Sequence, residues 1–425
     1  MVKEEFLHFV WKYRLFVSDY LHYRGDKITV IEPGLQNPDS GPDFFNARIR
    51  IGATVWAGNV EIHVKSSDWY KHGHQNDPAY DGVILHMVMD EDGQVFRQSG
   101  EEIPQGRLVI SPSVLEKYGL LMEERENRIC YSSFDKLDKV RYRDWIGKLG
   151  FTRLERRVIM VDHILKENHY DWEDTQYQVL AGAIGMRVNR EPFSLLSRSV
   201  PYTFLVKNKL KPVTLHAAFF GQAGFLSNPS NKNPYFTELS REYNAIKKLL
   251  PPVRLAQHLF KKKGNRPSGF PGLRILQLAE IVRKNVPIFQ KVTGLLNAPD
   301  LKKMLGDCMT DIYGKENAAE HFGFPLYKPG ASTLDSWVIN GIVPVLFRFG
   351  QFRKDEILIQ SSLDILEELP PESNEILKKW NTFGVNALNS FESQALIELK
   401  TNYCIKMRCT ECVLGHFVIQ NADTE

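Results

Sequence analysis

Ser40-Gly41-Pro42-Asp43-Phe44 opens an apolar run that ends at Ile51, and the next such run closes with Val60-Glu61-Ile62-His63-Val64-Lys65. Ser67-Asp68-Trp69 follows, then a polar turn holding His72, His74 and Asp77, then Val83-Ile84-Leu85-His86-Met87-Val88. Ala47 to Ile51 alternates apolar with basic residues, which predicts a half-buried strand. Gly52-Ala53 turns it into a hairpin partner over 54–65. Residues 82–89 are almost wholly apolar and predict a strand covered on both faces. Side chains alternate across a strand, so Glu61, His63 and Lys65 share one face. Three ionisable groups on one strand face are costly unless paired, hydrated or bound to metal.

Outward from this stretch, residues 4–17 carry an apolar stripe at helical spacing, with Glu4 and Glu5 in the first turn, where carboxylates suit the helix dipole. A short strand over 27–31 precedes a loop rich in turn formers at 37–42. Two segments, 95–97 and 107–110, are expected to close the sheet. Near residue 112 the pattern changes to helical spacing that continues to the C-terminus, with a long helix over 141–167 expected to break around Gly147–Gly150. Trp337 to Phe349 reads as a core helix kinked by Pro344, with Asn340 as a polar group in need of a partner. The expected fold is α+β: an α/β module over 1–111, with a mixed sheet flanked by helices, then a large mostly α-helical region over 112–425 ending in a cysteine cluster.

The chain has 425 residues, so more than one core is expected, and 43% of it is apolar. Lys plus Arg number 54 against 51 Asp plus Glu, too balanced for bulk charge to argue for nucleic acid. No apolar run approaches the roughly 20 residues needed to span a bilayer, so no membrane partner is expected. The acidic start does not read as a signal peptide, and five cysteines do not read as a secreted disulfide framework. A cytoplasmic location is the expectation.

Asp43 and Glu61 are oxygen donors suited to Mg²⁺ or Mn²⁺, and Lys65 can stabilise developing negative charge. His63, His72, His74 and His86 with Asp77 form a second donor set, able to hold a transition metal or, equally, to serve as turn and core histidines. Glu61, His63 and Lys65 can alternatively be a buried ion-pair network. Cys404, Cys409 and Cys412, with Lys406 and Arg408 between them, can bind Zn²⁺ or an iron–sulfur cluster if His416, Cys130 or Cys308 completes the set. They also suit a core as small apolar residues, and nearby cations can activate thiols for redox work. Lys261, Lys262, Lys263 and Arg266, interleaved with Phe260 and Phe270, can track a nucleic-acid backbone or be a solvated loop. Phe220-Gly221-Gln222-Ala223-Gly224 lacks the features of a phosphate loop and reads as close helix packing.

Helix, strand, Pro42-Asp43 opening a strand, an acid followed by lysine on the next strand, a helix and a last strand: over about residues 1–90 this order resembles the PD-(D/E)xK nuclease superfamily. The resemblance implies Asp43 and the acid of the following strand as metal ligands and Lys65 as the residue that assists attack on phosphate. His63 stands at the acid position two before Lys65, and Glu61 lies two further back. Either Glu61 is the ligand with His63 in the lysine's place, or His63 is itself a ligand. Over nearly its whole length the chain also resembles the bacterial domain-of-unknown-function 2851 family, through Gly41-Pro42-Asp43-Phe44, Gly58-Asn59-Val60-Glu61-Ile62-His63, Ser67-Asp68-Trp69, Phe220 to Gly224, Arg266-Pro267 to Arg274, Ile339-Asn340 and the terminal cysteines. The expectation is a metal-dependent nuclease, a hydrolase acting on DNA or RNA through Asp43, Glu61, His63 and Lys65. The alternatives are a non-catalytic nucleic-acid or protein-binding protein with an altered motif, and a different metal-dependent hydrolase centred on the histidines.

Overall fold

A computed structural model describes residues 2–123, 130, 133–134, 136–227, 233–262, 267–313 and 325–421. Contacts divide the chain into two compact units, Met1–Tyr142 with Lys400–Glu425, and Arg143–Leu399. The sequence places its boundary at 111/112 and keeps the cysteines with the helices. In the structure the helix after residue 111 and the cysteine segment belong to the sheet-containing unit.

That unit is a mixed α+β fold. Helix α1 (Glu4–Lys12) comes first, then strands β1 (His22–Tyr23), β2 (Asp26–Glu32), β3 (Leu35–Gln36), β4 (Phe44–Ile51), β5 (Thr54–Lys65), β6 (Val83–Asp90) and β7 (Gln105–Arg107), with α2 (Asp68–Lys71) between β5 and β6 and α3 (Pro112–Glu123) after the sheet. The strand order is β1-β2-β4-β5-β6-β7, with β3 also paired to β4. Pairing is antiparallel from β1 to β5 and parallel from β5 through β7. The hairpin expected from Gly52-Ala53 is present, with Ile51 opposite Thr54.

Helix α1 is shorter than its apolar stripe suggests. It stops at Lys12, and Arg14 takes a positive φ of 55° that a continuing helix does not allow. Phe6, Leu7, Phe9, Val10 and Trp11 are buried, and Phe6 stacks on Tyr118 of α3 with ring centroids 3.8 Å apart. Of the two segments expected to close the sheet, 95–97 contributes only an isolated bridge, Phe96 to Glu102, and the closing strand is β7.

The second unit is helical, and none of its described helices is long and apolar enough to cross a membrane. Helix Lys139–Glu167 runs unbroken through Gly147 and Gly150. Gly150 is there for proximity: a Cβ on it would stand 2.5 Å from the Phe391 ring. Pro344 starts a helix and does not kink one. Ala331–Gly341 and Val343–Arg353 are separate helices joined at Ile342, and Pro344 sits in the first turn of the second, where a missing N–H costs nothing. Gly221 lies against the Tyr243 ring, and Gly224 takes the positive φ that follows a helix end, so 220–224 is a packing element.

This unit also encloses an ionic network. Glu280, 1% exposed, accepts from His216 Nε2 at 2.8 Å and from Arg283 Nε and Nη2, each at 2.8 Å. Burial alone raises its pKa, but the hydrogen bonds from His216 and Arg283 prevail and hold it down at about 2. A depressed carboxyl stabilises the fold fully above its unfolded value of 4.5, and that contribution is lost as pH falls towards about 2. Glu280→Gln should therefore cost about 3 kcal/mol in urea unfolding at neutral pH, and the difference from the parent protein should shrink below pH 4.5.

Candidate functional site

Asp43 is placed by its loop. Gly41 takes a φ of +104°, and Asn37 braces the turn by donating from Nδ2 to the carbonyls of Ser40 and Pro42, while its own N–H meets the Asp43 carbonyl at 2.8 Å. The carboxylate then reaches across to β5. Asp43 Oδ2 accepts the Ile62 N–H at 2.9 Å, and the Asp43 N–H donates to Glu61 Oε2 at 3.1 Å. These reciprocal bonds lock the two acids together where β4 bulges between Phe44 and Ala47.

Glu61 and His63 are buried on β5, at 4% and 1% exposure, and His86 on β6 is wholly buried. The parallel register sets Glu61 opposite His86. His74, on the turn after α2, brings Nε2 to 3.2 Å from Glu61 Oε1, and His63 Nε2 lies 3.5 Å from the same oxygen. His72 Nδ1 is 3.1 Å from His63 Nε2. One donor nitrogen from each of His63, His72 and His74 lies within 4.8 Å of the others.

Hydrogen bonding determines which nitrogens carry protons. Gln105 on β7 donates its amide N–H to the Gly93 carbonyl at 3.3 Å, so its oxygen faces His86 Nδ1, also at 3.3 Å. His86 Nδ1 therefore carries the proton and His86 Nε2 is an acceptor. His63 Nδ1, 2.8 Å away, must donate to it. His63 Nε2 is left as a lone pair turned towards His72, His74 and Glu61. A ligating histidine fixed by a bond from its other nitrogen has this arrangement.

Electrostatics agree with neutral rings at the back of the site. Burial, with repulsion from His86, His74 and His72, drives the His63 pKa down to about 2, and burial lowers His86 to about 4. Burial and the nearby Asp43 charge raise the Glu61 carboxyl, against the pull of His74.

Helix α1 supplies two residues that sequence reasoning missed. His8 Nε2 is 3.2 Å from Asp43 Oδ2, and burial, which disfavours its charge, is outweighed by Asp43, so its pKa is raised. Glu4, one turn earlier, is raised chiefly by burial, with the charges of His72 and His8 pulling the other way. The i, i+4 spacing of Glu4 and His8 was the available signal, since it puts both on one helix face. Gln105 had none.

Other expected site residues are placed elsewhere. Lys65 is exposed at the end of β5, 3.7 Å from Asp90, and does not join Asp43. Asp77 is exposed and caps a short 3₁₀ turn by accepting the Ala79 N–H. Cys409 and Cys412 are buried and Cys404 is half-buried. Burial raises the thiols of Cys404 and Cys409 to about 12. Cys130 packs in the same apolar cluster as Cys409, His416 Nε2 donates to the Thr410 carbonyl at 2.6 Å, and Cys308 bonds the Leu305 carbonyl in the helical unit. Among the described residues, the histidines form the one group of three or more His, Cys, Asp or Glu with donor atoms within 4.8 Å of one another. Lys261 and Lys262 are exposed, and Lys261 exchanges backbone bonds with the Asn189 side chain. Lys263 and Arg266 lie outside the described residues.

The family described as "Protein of unknown function (DUF2851)" matches residues 4–375, most of the chain and the whole of this site. The chain belongs to the DUF2851 family. No curated protein and no solved structure matches it. This DUF2851 member thus carries a histidine–carboxylate cluster, buried at Glu61, His63 and His86, half-buried at His74 and exposed at His72, in which a chain running from Gly93 through Gln105 fixes the tautomers of His86 and His63. At neutral pH, long-range ¹H–¹⁵N spectra of the metal-free protein should show His63 and His86 both as neutral Nδ1–H tautomers. Gln105→Leu should release that preference at His86.

Proposed function

We propose that this protein is a metal-dependent hydrolase with its centre at His63, His72, His74 and Glu61, and that its substrates are phosphodiester linkages in DNA or RNA. The observation that supports the centre is the convergence of three imidazole nitrogens on one another, two of them, from His63 and His74, beside the Glu61 carboxylate, with His63 already in the ligating tautomer. The donors also fit a cation on independent grounds. His74 Nε2 and His8 Nε2 are buried, near carboxylates, yet make no hydrogen bond of acceptable geometry. Imidazole donors favour Zn²⁺ or Fe²⁺ over Mg²⁺, so Mg²⁺ or Mn²⁺, the ions suited to Asp43 and Glu61 alone, is the weaker match. A bound ion of this kind supplies Lewis acidity and lowers the pKa of a water that it holds.

The side chains divide the remaining work. Glu61, with its raised pKa, is the group to accept a proton from the attacking water. Asp43 favours the charged form of His8 at the edge of the site, where a cation stabilises charge developing on phosphate. His8 then takes the part that the resemblance to PD-(D/E)xK nucleases implies for Lys65. The phosphodiester substrate rests on that resemblance, on the succession α1, β2, β4, β5, α2, β6 among the elements of the unit, and on Asp43, at the entry to β4, meeting Glu61 of β5. The placement of Lys65 against Asp90 favours a second reading, a nucleic-acid or protein-binding protein that has lost the nuclease lysine.

Calorimetric titration with Zn²⁺ should show one site per chain that is lost in the His72→Ala, His74→Ala double variant. His86→Phe should weaken it by about 10- to 100-fold through the lost orienting bond. A variant protein that takes up Zn²⁺ as the parent does would remove the centre from consideration. In cleavage assays on single- and double-stranded DNA and RNA, Glu61→Gln and His8→Ala should each slow the metal-loaded protein by about 10²-fold, and Lys65→Ala should leave the rate unchanged. Metal uptake with no cleavage of any of these substrates would discard the phosphodiester assignment and keep the metal site.

A further inference from the structure

The helical unit collects arginines where the sheet unit collects histidines. Arg153 and Arg157 lie one turn apart on helix Lys139–Glu167, Arg190 on helix Met186–Ser199, and all three are half-buried. Arg157 donates Nη1 to the Ile339 carbonyl at 3.0 Å and Nη2 to Asn340 Oδ1 at 2.7 Å, and Arg190 Nη2 reaches the same Oδ1 at 3.4 Å. Asn340 is held for this task. Its Nδ2 donates to Ser336 O and Oγ at 2.7 and 3.2 Å, which turns the amide oxygen towards the guanidinium groups.

The nearest carboxylates are occupied. Glu398, fully buried, takes Arg156 Nε at 2.6 Å and lies 3.7 Å from Arg153. Glu372 accepts from Gln394 Nε2, and Gln394 Oε1 in turn accepts Arg153 Nε at 2.6 Å. Among the described residues, no carboxylate is within ion-pair distance of Arg157 or Arg190. A guanidinium has five N–H donors. Arg157 uses two and Arg190 one, all on neutral oxygens. Burial and mutual repulsion bring Arg157 down to about 9. Gathering like charges at partly desolvated positions lowers stability and is retained where a ligand supplies the missing charge.

We propose that Arg157 and Arg190, with Arg153 beside them and Asn340 as their brace, form a binding site for a phosphate-type oxyanion. The planar forks of Arg suit two oxygens of one phosphate. The recess of about 10 Å³ between Arg153, Arg157, Leu154, Ile339, Leu366 and Gln394 is too small for a phosphate, so the anion lies against the accessible edges of the half-buried arginines. The ligand class is accordingly a free phosphate or a terminal phosphate group. This site does not rest on the histidine centre or its chemistry.

The test is calorimetric titration of the full-length protein with inorganic phosphate and, separately, with a 5′-phosphorylated oligonucleotide, at fixed ionic strength set with chloride. Binding of at least one of the two is expected, weakened tenfold or more in Arg190→Gln and in Arg157→Gln. The stronger of the two ligands identifies the source. Arg190→Gln should also melt at or above the parent temperature, because it removes a like charge and a single long contact. Neither ligand binding the parent protein, or Arg190→Gln binding as tightly as the parent, overturns the proposal. A drop in the melting temperature of Arg190→Gln with unchanged phosphate affinity assigns the cluster to structure alone and overturns it too. Should Arg157→Gln fail to fold, Arg190→Gln decides by itself.

Discussion

The sheet unit depends on one costly placement, an acid and a histidine on one face of the buried C-terminal half of β5. Glu61 and His63 cannot be hydrated there, so every neighbouring element supplies a polar group to meet them. The loop before β4 sends Asp43, whose backbone N–H binds Glu61. The turn after α2 sends His72 and His74. β6 and β7 send His86 and Gln105, and α1 sends His8 towards Asp43. The parallel step from β5 to β6 matters because it sets His86 opposite Glu61 without a tight hairpin, leaving the intervening segment free to fold back as α2 and its histidine turn.

The compensation is incomplete in an informative way. At the back, from Gly93 to His63, each donor has an acceptor and the tautomers are unambiguous. At the front, His74 and His8 point nitrogens at carboxylates without satisfactory bonds. This contrast is the reason for the metal centre we propose, because a purely structural ion-pair cluster gains nothing from leaving nitrogens unsatisfied. The helical unit makes the same contrast with opposite charge. Glu280 is fully matched by His216 and Arg283, while Arg157 and Arg190 share one amide oxygen.

Much of the sheet was legible because strands 44–51 and 54–65 are local. Alternation, the Gly52-Ala53 turn and the apolar run at 83–89 each report on a few consecutive residues, and the hairpin follows from them. The grouping of Glu61 with His63 was legible for the same reason, since period-two spacing on one strand is a local fact. Lys65 shares that spacing but lies beyond the buried part of β5, where strand-end solvation and Asp90 claim it. Periodicity gives the face of a strand and says nothing of where along it the core ends. The unbroken helix through Gly150 makes the same point, because what glycine provides there is room for Phe391, some 240 residues away in sequence.

The sequence alone determined that this chain pairs an acid- and histidine-bearing sheet with a large helical part, and that residues 43–86 hold its densest set of metal-capable groups. These follow from composition and short-range period. Only the tertiary structure decided that His63, His72 and His74 converge while Asp77 and Lys65 do not, that α1 contributes Glu4 and His8, and that α3 and the cysteine segment belong with the sheet. The physical reason is that side-chain convergence depends on register, on where strands enter the core and on which helix covers which face, and each of these is set by burial summed over residues distant in the chain.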